Sequence, residues 1–232
     1  MPELNFEVEN VTPHPYAASP LLNFRLRITN TTGEPIHSIF MRCQIMFEAT
    51  RRQYNPEEQE RLFDLFGEPE LWDRSLRSLL WTNTNVVVSG FAGSMAIDML
   101  VPCTFDFNVA ATKYFAGLEG GEVPLLLLFS GTIFYKAESG LLQVTQISWE
   151  QEASYRLPVR VWREMMDTYY PNTVWLCLQR DAFDRLYRYK VRQAIPTFEQ
   201  TLELVIPDEG VKEGPGDVED SSVKPDEQET DQ

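Results

Sequence analysis

Histidine is scarce in this sequence, which has only two among its 232 residues, His14 and His37. Imidazole is the commonest general base and a frequent metal ligand, so this scarcity disfavours most hydrolytic and zinc chemistry. A zinc site built from His14, His37 and Cys43 has none of the spacings typical of metal ligands. The sequence therefore predicts no catalytic residue, no cofactor and no metal ligand.

Cysteine and long apolar runs are also scarce. Cys43, Cys103 and Cys177 form no Cys-x-x-Cys pair, and each lies in an apolar alternating run, where cysteine behaves as a small hydrophobic residue. The N-terminal MPELNFEVEN lacks the basic and apolar regions of a signal peptide. The longest apolar run, Val123–Phe129, is too short to span a bilayer. We therefore expect a cytoplasmic protein without a membrane partner.

Cations are outnumbered, with 20 Lys and Arg against 35 Asp and Glu for a formal charge of −15. Residues 207–232 contain ten acidic and two basic residues, so −8 falls on this tail and −7 on residues 1–206. An acidic body repels phosphate backbones, which excludes nucleic acid as an expected partner. The tail has only three apolar side chains, all valine, and is predicted to be disordered.

Alternating apolar and polar residues predict strands in the first fifty residues, over Leu4–Val8, Leu22–Ile28 and Ile39–Phe47. The run Val123–Tyr135 is nearly all apolar, which favours a central strand buried on both faces and paired with Leu141–Trp149. Cys103–Val109 alternates in the same way and predicts a further strand. Together these patterns predict a largely antiparallel β-sandwich-like body of roughly eight to ten strands.

Two helical segments accompany the strands. Asn55-Pro56-Glu57-Glu58 combines an N-cap, a proline at the first helical position and an acid three residues after the cap. It opens a helical insertion at about 55–81. A C-terminal helical lobe is predicted at about 158–205, beginning at Pro158. The predicted fold class is thus α+β, with residues 1–206 as a single globular domain.

Aromatic and methionine side chains are concentrated in these two helical segments. Packing on the sheets explains most of them, but the number of large apolar side chains suggests a surplus for binding a partner polypeptide. The predicted partner-binding residues are Phe63, Phe66, Trp72, Trp162, Met166 and Tyr170.

Several long segments resemble a bacterial family of unknown function. They are YNPEEQERLFDLFGEPELWDRSLRSLLW from Tyr54, VPCTFDFNVAATKYF, EVPLLLLFSGTIF, YRLPVRVWREMMDTYYP and WLCLQRDAFDRLYRYK. The resemblance covers about residues 4 to 205 and excludes the tail. Genes of this family tend to lie near nickel–iron hydrogenase genes, so the resemblance implies an accessory or assembly factor and assigns no functional residue.

We therefore expect a non-enzymatic accessory or binding protein that presents an apolar surface to a protein partner. It would assist the assembly or maturation of a redox enzyme such as a hydrogenase. One alternative is an enzyme based on carboxylates, which are abundant in pairs such as Asp98/Asp106 and Glu150/Glu152. Another is a structural homo-oligomer.

Overall fold

A computed structural model describes residues 1–104, 109–137, 139–173 and 178–206. The chain divides into two compact units, Met1–Trp175 and Leu176–Gln232. The predicted tail, 207–232, lies outside the described residues, and so do residues 174–177. The prediction of a single domain over residues 1–206 stays a prediction.

The first unit contains eight described strands in two antiparallel sheets. They are β1 (Leu4–Pro13), β2 (Leu21–Asn30), β3 (Ile36–Phe47), β4 (Leu79–Phe91), β5 (Ser94–Pro102), β6 (Glu122–Lys136), β7 (Leu142–Gln146) and β8 (Glu152–Pro158). The three-stranded sheet has the order β1-β2-β5. The five-stranded sheet has the order β4-β3-β6, and both β7 and β8 pair with the far edge of β6.

The two sheets pack face to face, as period-two alternation dictates. Inward side chains such as Leu26 on β2 and Ile45 on β3 are fully buried, while their neighbours along each strand face outward. The rings of Phe6 on β1 and Phe129 on β6 stack with centroids 4.1 Å apart. The predicted α+β fold with a sandwich-like body is therefore confirmed.

Five α-helices and two short 3-10 helices, Ala49–Arg51 and Pro69–Leu71, belong to the first unit in the described residues. The α-helices are α1 (Pro56–Arg61), α2 (Phe63–Phe66), α3 (Trp72–Ser75), α4 (Val109–Gly117) and α5 (Val159–Tyr169). Asn55 caps α1, since its side chain accepts from the Glu58 N–H while the Glu58 carboxylate accepts from the Asn55 N–H. The predicted helical insertion thus forms between β3 and β4, but its last helix ends at Ser75 and β4 already begins at Leu79, before the predicted end at about residue 81.

Two strands also differ from the prediction. The expected strand over Cys103–Val109 is wrong at its end, because β5 stops at Pro102 and Val109 begins α4; residues 105–108 lie outside the described chain. Strand β6 is central, but only its inward face is fully buried. On its outward face Leu128 and Phe134 are half-buried and Ser130 is exposed.

The second unit contains two described helices, α6 (Arg180–Arg192) and α7 (Phe198–Val205). Thr197 caps α7 by accepting a hydrogen bond from the Gln200 N–H. The Phe198 ring lies 5.6 Å from Phe183 and 6.4 Å from Tyr187, so an aromatic group joins the two helices. Both Phe183 and Tyr187 nevertheless stay exposed.

Candidate functional site

Phe66 and Trp72, two of the predicted partner-binding residues, lie in a buried aromatic cluster beneath the helical insertion. Both are less than a tenth exposed, and their rings meet edge to face with centroids 5.5 Å apart. Phe66 also contacts Tyr114 of α4, whose hydroxyl lies 2.7 Å from that of Tyr54. Both side chains therefore act primarily in packing the insertion against α4.

Trp162 joins the same cluster from α5. Its indole stacks on the ring of Phe115 at 4.9 Å, and Phe115 in turn contacts Tyr114. Met166 and Tyr170 are half-buried, and Met166 packs against the core. Phe63 is 47% exposed. The structure thus brings Phe66, Trp72 and Trp162 together in the core, and the role of all six in binding a partner stays a prediction.

A buried ion pair fastens the insertion to the loop after α4. The Arg52 guanidinium donates two hydrogen bonds of 2.8 Å to the Glu58 carboxylate, and both side chains are at most 10% exposed. Arg52 also donates to the Gly120 carbonyl at 2.6 Å, and Glu58 accepts from the Glu119 N–H at 2.8 Å. With each charge paired and hydrogen-bonded, this site is complete without a ligand.

Burial alone would raise the pKa of Glu58, but the hydrogen bonds from Arg52 and from the Glu119 and Asn55 amides outweigh burial and hold the pKa below its ordinary value. Burial raises the pKa of both Tyr54 and Tyr114, so these phenols stay protonated at neutral pH. The Glu58 carboxylate therefore stays ionised and the two phenols stay neutral at neutral pH, so none of these groups exchanges protons there.

The residues considered for catalysis do not form a site in the described chain. Burial raises the pKa of both Cys43 and Cys103 to about 12, so neither thiol is a nucleophile at neutral pH. His37 is exposed at the start of β3, whereas Cys43 faces the sandwich core. Among the described residues, no three His, Cys, Asp or Glu side chains are placed to hold a metal ion.

Two depressions contain more than one carboxylate, and neither contains His or Cys. The larger, about 590 Å³, lies between the start of β1 and the β7–β8 connection and includes Glu3 and Glu150. The smaller, about 340 Å³, lies where the loop after α4 meets α5, and Arg163 there donates to the backbone carbonyl of Glu119. A carboxylate acid–base pair with a histidine is not assembled in either.

The outer face of the five-stranded sheet carries outward-facing apolar side chains that form one stripe across four strands; Phe134 is half-buried and the other three are exposed. Val87 on β4 pairs with Phe40 on β3, whose ring meets that of Phe134 on β6 at 5.7 Å; Phe134 pairs with Val144 on β7. Phe40 is 54% exposed, Val87 65% and Val144 57%. We call these four residues the apolar sheet face; crossing four strands, it is roughly 14 Å wide.

The depression beside Phe40 depends on a glycine. Gly131 on β6 has φ +141°, and a Cβ there would lie 2.0 Å from the Phe40 carbonyl oxygen. The backbone of β6 consequently comes close to β3. A hollow of about 320 Å³ opens there, lined in part by Phe40, Arg42, Val87 and Gly131. Phe40 and Val87, at one end of the apolar sheet face, thus border a shallow hollow.

The outer face of the three-stranded sheet is different. Its charged side chains pair with one another, because Arg25 lies 3.1 Å from Asp98 and Arg27 donates to Glu9. Such a polar, ion-paired surface is what an antiparallel sheet normally presents to water. The apolar sheet face departs from this pattern, and an exposed contiguous apolar surface is typical of interaction sites.

Comparison with protein families decides the identity of the chain. The profile described as "Family of unknown function (DUF6084)" matches residues 1–214. The chain belongs to this family. This membership confirms the coarser part of the sequence resemblance, namely that the family is one of unknown function. A search of the curated proteins finds no match.

Similar solved structures include three with low identity. The CARDB domain of a Pyrococcus furiosus protein in complex with di-metal ions is 12% identical, with TM-score 0.28, over 68% of this chain and 92% of that one. A β-glucosidase from Kluyveromyces marxianus is 10% identical, with TM-score 0.26, over 67% and 15%. The putative ApaA protein from Bordetella pertussis is 13% identical, with TM-score 0.22, over 67% and 93%. At these scores no functional argument follows.

Within the described part of the chain, none of the helices has both the length and the apolar character required to cross a membrane.

Proposed function

We propose that this protein is a non-enzymatic accessory protein that binds a partner polypeptide on the apolar sheet face. The observation that carries the proposal is the outward-facing stripe of Phe40, Val87, Phe134 and Val144, of which Phe134 is half-buried and the other three are more than half exposed. Strand pairing joins Val87 to Phe40 and Phe134 to Val144, and the ring contact between Phe40 and Phe134 joins the two pairs. Large aromatic side chains at the centre of a surface contribute most of the binding energy in protein interfaces. The ion-paired outer face of the other sheet offers no such anchor.

The finer proposal rests on the family resemblance. The partner would belong to the assembly or maturation of a redox enzyme, such as a nickel–iron hydrogenase, in a bacterial cytoplasm. The alternatives of a carboxylate-based enzyme and a structural homo-oligomer stay predictions. Light scattering tests the homo-oligomer, since a dimer that the change Phe40→Asp converts to a monomer would mean that the face binds a second copy.

The test compares the two outer faces in living cells. Phe40→Asp introduces a charge at the centre of the stripe, and Leu100→Asp is the matched control, since Leu100 is 40% exposed on the outer face of the other sheet. We expect tagged full-length protein to lose specific co-purifying partners only with Phe40→Asp. Both variants should keep their unfolding free energy within about 1 kcal/mol of the parent. Equal capture by parent and Phe40→Asp would contradict the proposal.

A photo-crosslinking amino acid provides a direct readout of contact. Placed at position 40, it should crosslink to a partner polypeptide, whereas at position 100 it should not. Crosslinks at position 100 alone would move the binding surface to the other sheet. Crosslinks at both positions would show that neither face is specific.

A further inference from the structure

The apolar sheet face is bordered by cations. Arg42 follows Phe40 by two residues on β3, and Lys136 follows Phe134 by two residues on β6. Side chains two residues apart on a strand face the same side, so each aromatic ring has a cation next to it. Each of these cations therefore lies beside a ring that a partner would contact.

Carboxylates are nearly absent from the strands that form this face. β3, β4 and β7 contain no Asp or Glu, and β6 has only Glu122, at its first position. Glu122 precedes Phe134 by twelve residues, which is on the order of 40 Å along a strand. This distribution is unusual in a chain whose formal charge is −15.

The part of the chain that the structure describes supplies no counter-charge to these two cations. Within the described residues, neither Arg42 nor Lys136 forms an ion pair, and Arg42 instead donates to the amide oxygen of Asn83 at 3.0 Å. On the outer face of the other sheet, by contrast, both arginines are paired with carboxylates. Arg42 thus keeps a guanidinium positioned to bind a carboxylate from outside the described chain.

We infer that the partner segment that binds this face is apolar and acidic, with aliphatic or aromatic side chains over Phe40 and Phe134 and carboxylates over Arg42 and Lys136. The inference rests on the proposed function and specifies the chemistry of the partner. Charge complementarity of this kind favours the correct encounter and disfavours basic segments. A second copy is a poor fit, because in an isologous contact the facing strands would offer these cations no carboxylate except Glu122.

The negative net charge of the whole molecule does not prevent this contact. Exposed charges separated by more than about 8 Å are largely screened at physiological ionic strength. At contact distance, the local pair of cations decides the sign of the interaction. Long-range repulsion slows association, whereas complementary contacts slow dissociation.

Fluorescence anisotropy with the full-length chain and three labelled peptides tests the inference. Each peptide has about twelve residues, enough to cross the four strands in an extended form. The first alternates Leu or Val pairs with Glu, the second replaces every Glu with Lys, and the third keeps Glu but replaces the apolar residues with Ser. We expect the first peptide to bind at least roughly tenfold more tightly than either of the others. Its affinity should fall as salt is added.

Matched variants then locate the binding. The double change Arg42→Gln and Lys136→Gln should weaken the first peptide by roughly tenfold and flatten its salt dependence. The double change Arg25→Gln and Arg27→Gln, on the opposite outer face, should leave its affinity unchanged. Circular dichroism and melting temperature establish that each variant is folded. An affinity that both double variants leave intact would overturn the inference.

Failure of the inference is distinguishable from failure of the proposed function. Equal binding of the Glu and Lys peptides, lost with Phe40→Asp, would overturn the acidic partner while supporting an apolar docking face. If none of the three peptides bound, the inference would be overturned. The proposed function is tested separately, by comparing the partners that co-purify with the parent and with Phe40→Asp in cells. A single-stranded oligonucleotide that bound more tightly than the Glu peptide, and depended on Arg42 and Lys136, would also overturn the inference.

Discussion

At the scale of single residues, the Arg52–Glu58 ion pair determines how the helical insertion is held. Both side chains are nearly buried, so the pair replaces water with two mutual hydrogen bonds and contacts to the backbone of the loop after α4. Breaking a buried pair by removing one partner leaves an uncompensated charge. An exposed pair such as Lys113–Asp64, in contrast, is already solvated.

We predict that Glu58→Gln lowers the unfolding free energy by about 3–5 kcal/mol, because it leaves the Arg52 charge buried without a counter-charge. The double variant Arg52→Gln, Glu58→Gln should be less damaging than the sum of the two single changes. Chemical denaturation measures both quantities. Asp64→Asn is the control and should change stability by less than about 1 kcal/mol. An effect of Glu58→Gln that small would mean that the pair is dispensable.

The depressed pKa of Glu58 predicts how this stability depends on pH. A carboxyl whose pKa is lower in the folded state contributes stability that is fully present above its ordinary value of 4.5. This contribution is lost as pH falls through the lower, folded-state pKa. The stability difference between the parent and Glu58→Gln should therefore shrink on acidification below pH 4.5. A difference that grew on acidification would contradict the assigned direction of the shift.

At the scale of elements, α4 and α5 join the helical insertion to the sandwich. Tyr114 and Phe115 of α4 are fully buried between Phe66 on one side and Trp162 on the other. The aromatic surplus of the helical segments is thus largely used for packing. The question left for these elements is whether any of the predicted partner-binding residues acts beyond the core.

Trp162→Ala and Phe63→Ala separate packing from binding. Trp162 is buried against Phe115, so its truncation should lower the unfolding free energy by about 3–5 kcal/mol. Phe63 is 47% exposed, and its truncation should change stability by less than about 1 kcal/mol. Denaturation and partner capture are measured on the same samples. Lost capture with unchanged stability in Trp162→Ala would restore its predicted role as a binding residue.

The sequence allowed the strands to be predicted because an inward face buried at every second position leaves a period of two. The sequence did not allow α4 to be predicted. Four residues at helical spacing there are nevertheless all buried: Ala111, Tyr114, Phe115 and Leu118. The preceding alternation from Cys103 concealed this pattern.

The apolar sheet face was missed for a different reason. Phe40 stands between the buried Ile39 and Met41, and Val87 stands within a run of three valines. Within the three valines, alternation cannot distinguish the outward Val87 from its neighbours. The alternation of Ile39–Phe47 puts Phe40 on the face of Arg42 and Gln44, but it does not show which residues of other strands lie beside Phe40. Only strand pairing shows that Phe40 and Val87 lie opposite each other on the outer face. The site therefore depends on register, which local patterns do not encode.

At the scale of the whole molecule, nearly all burial falls in the first unit. Every buried hydrophobic side chain of the described residues lies between Leu4 and Met165, whereas Thr201 is the one fully buried residue described in α6 and α7. Both sheets, the aromatic cluster and the apolar sheet face belong to Met1–Trp175. The free energy of folding should accordingly reside in this unit.

We predict that a chain ending at Trp175 folds cooperatively and melts within about 4 °C of the full-length protein, because it keeps the complete buried core. Differential scanning calorimetry measures the melting temperature, and circular dichroism should show only the loss of α6 and α7. A chain ending at Leu157 is the control: it lacks α5 with the buried Val159, Trp162 and Met165, and it should not fold cooperatively. Non-cooperative melting of the chain ending at Trp175 would instead favour one domain extending to residue 206, as the sequence predicted.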